Sequence, residues 1–513
     1  ELNERIKKLR KQSIDCKPYI SSERAVLMTK FYESNAAGQV SMPVKRALAF
    51  KYLLENKKTC INDGELIVGE RGPAPKATPT YPEICCHSLE DLEVLNSRKK
   101  IPYAIDEETR KVYKKKIIPF WKGKSIREVI FSRMSDEWKA AYEAGVFTEF
   151  LEQRALGHTV LGDKIYTRGL ADFKEEIARN LQNLDFGDLD AHKKAEELKA
   201  MTIAADAVIG YARRHGELAK KLAKKEKNLK RRKELEKIAN VCTYVPAYAP
   251  RDFWETLQHY WFIHLGVITE LNPWDAFNPG RLDQHLYPFY EKGVKDGSLT
   301  KEKARELLQA FWVKFNNQPA PPKVGVTAEE SNTYTDFALI NTGGVKSDGS
   351  DAVNELSYLI LGVVEEMRLT QPSSMVQISK KTPDRFLKKA LEIIKTGFGQ
   401  PSVFNTDAII QELLRQGKRV EDARNGGASG CVETGAFGKE CYILTGYFNM
   451  VKVLELTLNN GCDPRTGKKI GIETGNSVEF GSFEELFEAV KKQLNYFIDV
   501  KIGGNSVIER LYA

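Results

Sequence analysis

No Cys-x-x-Cys spacing occurs anywhere in the 513 residues. The eight cysteines, at 16, 60, 85, 86, 242, 431, 441 and 462, are scattered, and the adjacent Cys85-Cys86 suits neither zinc nor an ordinary disulfide. A thiolate metal centre and a disulfide framework are therefore not expected, and a reducing cytoplasm is the expected setting. Also lacking is any run near the ~18 apolar residues that a membrane span requires. The opening Glu1-Leu2-Asn3-Glu4-Arg5-Ile6-Lys7-Lys8 has no apolar h-region, so no signal peptide is read. Because no initiator Met stands there, the start is expected to be trimmed. Internal repeats and low-complexity segments are missing too. The basic excess is small, +8 from 78 Lys and Arg against 70 Asp and Glu, and much of it lies between Lys220 and Lys237. Glu226, Glu234 and Glu236 interrupt that stretch, which makes it a solvated helix face rather than a phosphate-binding stripe. Neither nucleic acid nor membrane is an expected partner.

What is present is the material of a large soluble protein, 42% apolar and 29% charged. Length alone suggests two to four domains, unless one large α/β barrel takes the whole chain. The first ~180 residues are predicted to be mostly helical, with helices at Arg24–Tyr32 and Val44–Leu54. Between 61 and 84 glycines and prolines break the pattern, and Glu65–Glu70 is strand-like. From 187 to 240 the chain reads as strongly helical, with Leu198, Met201, Ala205, Val208 and Ala212 on one apolar face. Asp252 opens a further buried helix, in which His259 and His264 are packing residues. Ala304, Leu307, Leu308, Phe311, Trp312 and Phe315 mark another. Beyond it a buried strand around Leu339–Gly344, helices at 353–367 and 383–396, and strands at Met375–Ser379 and Gly399–Asn405 alternate. That alternation places the chain in the α/β class.

The most unusual stretch is Arg424-Asn425-Gly426-Gly427-Ala428-Ser429-Gly430-Cys431-Val432-Glu433-Thr434-Gly435. Its glycines let the chain take up unusual φ/ψ values in a tight pocket. Taken as extended chain, Cys431 and Glu433 point the same way, with Cα atoms ~6.5–7 Å apart. A thiol and a carboxyl would then line one side of a small cavity. The plain alternative is a Gly-rich loop around a buried, inert cysteine.

Gly430-Cys431-Val432-Glu433 resembles the cysteine loop of the glycyl radical enzymes. Thr434 stands where the family's diol dehydratases and C–N or C–S lyases usually carry proline, and the single Cys431 where pyruvate formate-lyase has two adjacent cysteines. The loop is most similar to that of the branch that dehydrates trans-4-hydroxyproline. Other stretches carry the same resemblance. Glu65–Glu70 with Pro79–Glu83 is similar to the family's amino-terminal region, and Arg281-Leu282-Asp283-Gln284 with Tyr287–Tyr290 to a segment that serves folding. Gly157-His158 is similar to a pocket element. Asp275-Ala276 replaces the histidine and serine of the diol enzymes, and a carboxylate there suits a cationic amine, although a turn-capping aspartate is the simpler alternative. Ser331 and Asp336-Phe337 match the hydroxyproline pocket.

The resemblance implies a ten-stranded barrel of two five-stranded half-barrels, surrounded by helices, with the cysteine loop inside. A mostly helical part would cover about 1–240 and the barrel with its loop about 241–513. It implies radical dehydration to pyrroline-5-carboxylate, since acid–base chemistry alone does not remove an unactivated C–H at neutral pH. Cys431 would carry the thiyl, Glu433 the proton of the departing hydroxyl, and His158 and Asp275 the polar network. Phe150, Phe337 and Tyr447 would form the walls, with Ser331 and Asp336 also on the substrate. No bound cofactor or metal is implied. The glycyl radical would be installed by a radical S-adenosylmethionine activase on a carboxy-terminal Arg-Val-x-Gly-aromatic loop, which is not found here. Lys418-Arg419-Val420-Glu421 has no glycine at the needed offset. The chain is thus expected to be a fragment, inactive alone, whose partners are a small substrate, the activase and a second copy in a homodimer. Alternatives are another glycyl radical eliminase, a thiol hydrolase or transferase with a histidine base, and a non-catalytic scaffold.

Overall fold

A computed structural model describes residues 2–35, 38–149, 153, 157–272, 277–330, 336–442 and 446–512. Helices dominate the first half, as their apolar spacing requires. Two expected helices extend to Glu23–Glu33 and Met42–Asn56. The 35-residue helix Ala191–Lys225 packs along Met42–Asn56 and against Leu229–Tyr244. Its buried side is built mainly on alanines, Ala195, Ala205 and Ala212 among them, which let neighbouring helices approach closely. Met201 departs from the expected face and is 53% exposed.

The helix Phe253–Glu270 is buried along most of its length, capped by the Asp252 side chain on the Glu255 N–H. Burial holds His259 and His264 down to about 4 and about 3, so both pack as neutral rings. The largest apolar core joins residues from both halves, including Ile6, Leu54 and Tyr211 with Trp261, Phe311 and Ile360.

One expected strand is replaced by something else. Glu65–Glu70 forms no ladder. Side chains from the Phe253–Glu270 helix satisfy its backbone instead. The Gln258 amide accepts from the Val68 N–H at 2.8 Å and donates to the Val68 carbonyl at 2.9 Å. Indole N–H groups of Trp254 and Trp261 donate to the carbonyls of Leu66 and Gly69, each at 2.9 Å. The segment's acids face inward onto Lys314, whose ammonium lies 2.7 Å from Glu65 and 2.5 Å from Glu70, all three buried.

Strands are short and gathered in small sheets. In chain order they are β1 (Tyr19–Ser21), β2 (Ala77–Pro79), β3 (Phe147–Glu149), β4 (Gly157–Val160), β5 (Phe277–Asn278), β6 (Gly280–Arg281), β7 (Leu339–Gly343), β8 (Ser373–Ile378), β9 (Ser402–Asn405), β10 (Gly427–Ser429), β11 (Glu433–Gly435), β12 (Cys441–Tyr442) and β13 (Gly446–Phe448). The central sheet is parallel with order β6-β7-β8-β9. Glu355–Met367 connects β7 to β8, and Asp384–Lys395 connects β8 to β9. Every residue of β7 is buried, as in a parallel strand covered on both faces, whereas β9 is the exposed edge. Smaller sheets pair β12-β4-β5, β13-β3, β10-β11 and β1-β2. The architecture is mixed α/β with many helices. Among the described residues no helix is long and apolar enough to cross a membrane.

Candidate active site

Cys431 lies at the tip of a β-hairpin. β10 and β11 pair antiparallel, Gly427 with Gly435, Ala428 with Thr434 and Ser429 with Glu433, leaving Gly430-Cys431-Val432 as the turn. Gly430 takes φ +55°, a left-handed value that glycine adopts without a Cβ penalty. The expected extended Cys431–Glu433 pair is thereby corrected, because the chain reverses between the two residues. The Glu433 carboxylate folds back and accepts from the backbone N–H groups of Cys431 and Val432, both at 3.0 Å. The acid is still held at the cysteine, bonded to its backbone N–H. The tip is also not enclosed within the described residues. Cys431 is exposed and Val432 is 66% exposed.

Side-chain amides clamp the hairpin base to the central sheet. The buried Asn341 on β7 donates to the Ala428 carbonyl at 2.8 Å and accepts from the Ala428 N–H at 3.1 Å, taking the place of a neighbouring strand. Gln377 on β8 donates to Asn341 at 3.2 Å and to the Gly426 carbonyl at 3.1 Å. Asn278 on β5 donates to the Ser429 hydroxyl at 2.7 Å. The Arg281 guanidinium reaches the carbonyls of Arg424 at 2.9 Å and Gly343 at 2.6 Å. A Cβ at Gly427 would collide with the Asn341 and Gln377 side chains, so this close approach requires glycine. Asn278, Asn341 and Gln377 were not singled out from the sequence. The sequence offers only a carboxamide in a short strand, which gains a meaning once the hairpin packs against it.

β10 packs against β4, β6 and β7. The first of these carries His158, whose backbone is in β4, and the last begins just after Asp336-Phe337. Asp336 is buried and meets Arg71, also buried, at 3.1 Å. Burial pushes the Asp336 carboxyl up to about 6 against the opposing pull of Arg71. Its Oδ1 has no hydrogen-bond partner among the described residues. Phe337 follows with φ +51°, a left-handed value that costs a non-glycine residue about 1–3 kcal/mol. Such stored strain is typical of ligand sites.

Tyr447 sits on β13 opposite Thr148 and is 52% exposed. Phe150, Asp275 and Ser331 lie outside the described residues. All eight cysteines are free thiols, and burial pushes Cys60 and Cys86 up to about 12, which marks both as inert. Among the described residues no three His, Cys, Asp or Glu side chains gather as a metal site.

This chain is 59% identical over 511 residues to trans-4-hydroxy-L-proline dehydratase of Clostridioides difficile, covering 99% of this chain and 65% of that protein. The crystal structure of the hydroxyproline dehydratase from that organism, with trans-4-hydroxy-L-proline bound, superposes with a TM-score of 0.93, at 59% identity and with 99% and 65% of the two chains covered. A Roseburia inulinivorans structure described for 1,2-propanediol dehydration matches with a TM-score of 0.91 at 34% identity, covering 100% of this chain and 64% of that one. The chain thus spans 65% or less of the length of these relatives. The profile of the family described as Pyruvate formate lyase-like matches residues 2–513. The chain belongs to this pyruvate formate lyase-like family of glycyl radical enzymes.

Proposed function

We propose that the chain is the thiyl-bearing, substrate-binding part of a radical dehydratase that converts trans-4-hydroxy-L-proline into pyrroline-5-carboxylate and water. The observation that carries this is the 59% identity, sustained over 99% of the chain, to a protein of that name. The hairpin supports it, with an exposed Cys431 whose backbone N–H is held by the Glu433 carboxylate. A glycyl radical, installed by a radical S-adenosylmethionine activase, supplies the oxidising equivalent that makes Cys431 a thiyl. The exposed tip is accessible to a segment bearing that radical.

The Cys431 sulfur takes the hydrogen atom from C5, forming S–H and leaving a carbon radical next to nitrogen. The C4–O bond then breaks, and Glu433 gives its proton so that the hydroxyl leaves as water. The thiol returns its hydrogen atom to the ring, restoring the thiyl, and the proton shed by the ring nitrogen restores Glu433. Asp275 pairs with the ring ammonium, with His158 completing the polar network. Ser331 and the backbone around Phe337 grip the substrate carboxylate, Asp336 backs that wall, and Phe150, Phe337 and Tyr447 enclose the ring. In this reading β6 to β9 belong to one half of a ten-stranded barrel of two five-stranded half-barrels. Residues from about 1 to 240 form its mostly helical part, and about 241 to 513 the barrel. The working molecule is a cytoplasmic homodimer.

The test uses the complete protein that carries this chain, activated without oxygen and assayed on trans-4-hydroxyproline, propane-1,2-diol and glycerol. Pyrroline-5-carboxylate from the first is the expected product, and preference for either diol overturns the assignment. Asp275→Asn is expected to lower kcat/KM on hydroxyproline about 10²-fold, equivalent to ~2.7 kcal/mol. An unchanged value returns Asp275 to turn capping.

A further inference from the structure

We infer that Arg71 is a positioning residue for Asp336: its buried guanidinium holds one carboxylate oxygen and leaves the other for the substrate. The inference rests on the function proposed above, in which Asp336 belongs to the substrate's wall. Arg71 itself touches no reacting atom.

Arg71 is 1% exposed and engages two stretches of chain. Its backbone N–H donates to the Gln318 side-chain oxygen at 3.3 Å, and its Nη2 to the Pro319 carbonyl. Its Nη1 donates to Asp336 Oδ2 at 3.1 Å. A guanidinium presents its donors in a rigid planar fork, so anchoring one arm on Pro319 fixes the arm that meets Asp336. Gln318 is itself held, because its amide donates to the Glu70 carboxylate of the buried Lys314 cluster. Pro319 and Asp336 stand 17 residues apart. One side chain thus closes the base of the connection from the helix Lys301–Asn316 into β7.

On its other side Asp336 leads directly to the cysteine hairpin. Three residues on, the Leu339 N–H donates to the Asn278 side-chain oxygen, and the Asn278 amide donates to the Ser429 hydroxyl at 2.7 Å. Ser429 stands two residues before Cys431. At no more than ~3.6 Å per residue, the Cα of Asp336 lies within ~11 Å of that of Leu339, and the Cα of Cys431 within ~7 Å of that of Ser429. Asp336 is 7% exposed, and its Oδ1 has no hydrogen-bond partner among the described residues. Buried polar atoms are as a rule paired, so Oδ1 is the oxygen left to take a substrate hydrogen bond. A buried ion pair adds little stability over well-packed apolar residues. A guanidinium that fixes one oxygen does set the direction of the other.

The experiment compares the complete activated protein with Arg71→Met, Asp336→Asn and the double variant. Each single change is expected to lower kcat/KM for hydroxyproline on the order of 10²-fold, most of it in KM, as a small misplacement of binding groups gives. The double variant should be no worse than Asp336→Asn alone, because Arg71 acts through Asp336 and the two effects do not add. The glycyl radical spin count per chain should not change in any of them. Loss of the Pro319 bond should show in Tm and not in KM. Arg71→Lys keeps the charge and loses the fork; it should raise KM by a smaller factor, and it serves if Arg71→Met fails to fold. Wild-type KM in the Arg71 variants, or a double variant about tenfold below Asp336→Asn in kcat/KM, would overturn the inference. If the wild-type protein prefers a diol to hydroxyproline, the function reading falls, and the same comparison on that diol decides whether Arg71 acts through Asp336.

Discussion

Glu433 holds the tip of its own hairpin, so replacing it probes two properties that are separable. Glu433→Gln keeps an oxygen to accept from the Cys431 and Val432 N–H groups and loses the transferable proton. Turnover in the complete enzyme should fall by about 10²–10⁴-fold with the glycyl radical still formed, measured by steady-state rate and electron paramagnetic resonance. A near-normal rate leaves Glu433 with only its structural bonds. Cys431→Ser should abolish turnover while the glycyl radical still appears in the spectrum, because an alcohol O–H is too strong to relay a hydrogen atom; residual turnover would move the relay elsewhere. Asp336 makes a prediction about pH. Burial raises its folded pKa to about 6 from the ordinary 3.8, so between pH ~4 and ~6 the native state holds a proton that the unfolded state has released. Stability should therefore fall as pH rises through that window, relative to Asp336→Asn, and level off above it. Parallel Tm-against-pH curves for the two proteins would show that the carboxyl is not perturbed.

The hairpin base shows where sequence patterns inform and where they stop. The alternation of helix and strand from Ala304 to Asn405 was legible because each element buries apolar residues at its own period. Asn341, Gln377 and Asn278 were not, because a carboxamide in a strand becomes meaningful only when the base of the hairpin is brought against it. Glu65–Glu70 failed for the same reason. Its local pattern suits a strand, yet the groups that satisfy its backbone come from Trp254, Gln258 and Trp261, about 190 residues away. The Cys431–Glu433 reversal was hidden in the turn, where one residue's conformation decides which way a side chain points. Cys431 and Glu433 stood out from the residues themselves, whereas His158, Asp275 and Ser331 entered only through the family resemblance. At this scale, Asn341→Leu should strip partners from Ala428 and Gln377 and cost ~1–3 kcal/mol for each buried group left unpaired. Urea unfolding measures it, and a loss below ~0.5 kcal/mol would show that the clamp contributes little.

Across the whole molecule, the amino-terminal helices and the later α/β part share one apolar core, and the Lys314–Glu65–Glu70 cluster is its buried polar joint. Lys314→Met should cost ~3–5 kcal/mol by stranding two carboxylates, and adding Glu65→Gln with Glu70→Gln should recover much of the loss. A triple variant with no such recovery would show the cluster to be energetically idle. The order β6-β7-β8-β9 matches the order in which the strands are synthesised. At ~5–20 residues per second, the ~60 residues between Gly280 and its partner Ile340 take about 3–12 s to emerge from the ribosome. Each new strand therefore meets an edge made only moments before, and the sheet can grow in one direction by adding to its newest member. The Cys431 hairpin is translated after all four strands, so it is delivered to a surface on which Asn341 and Gln377 are already in place.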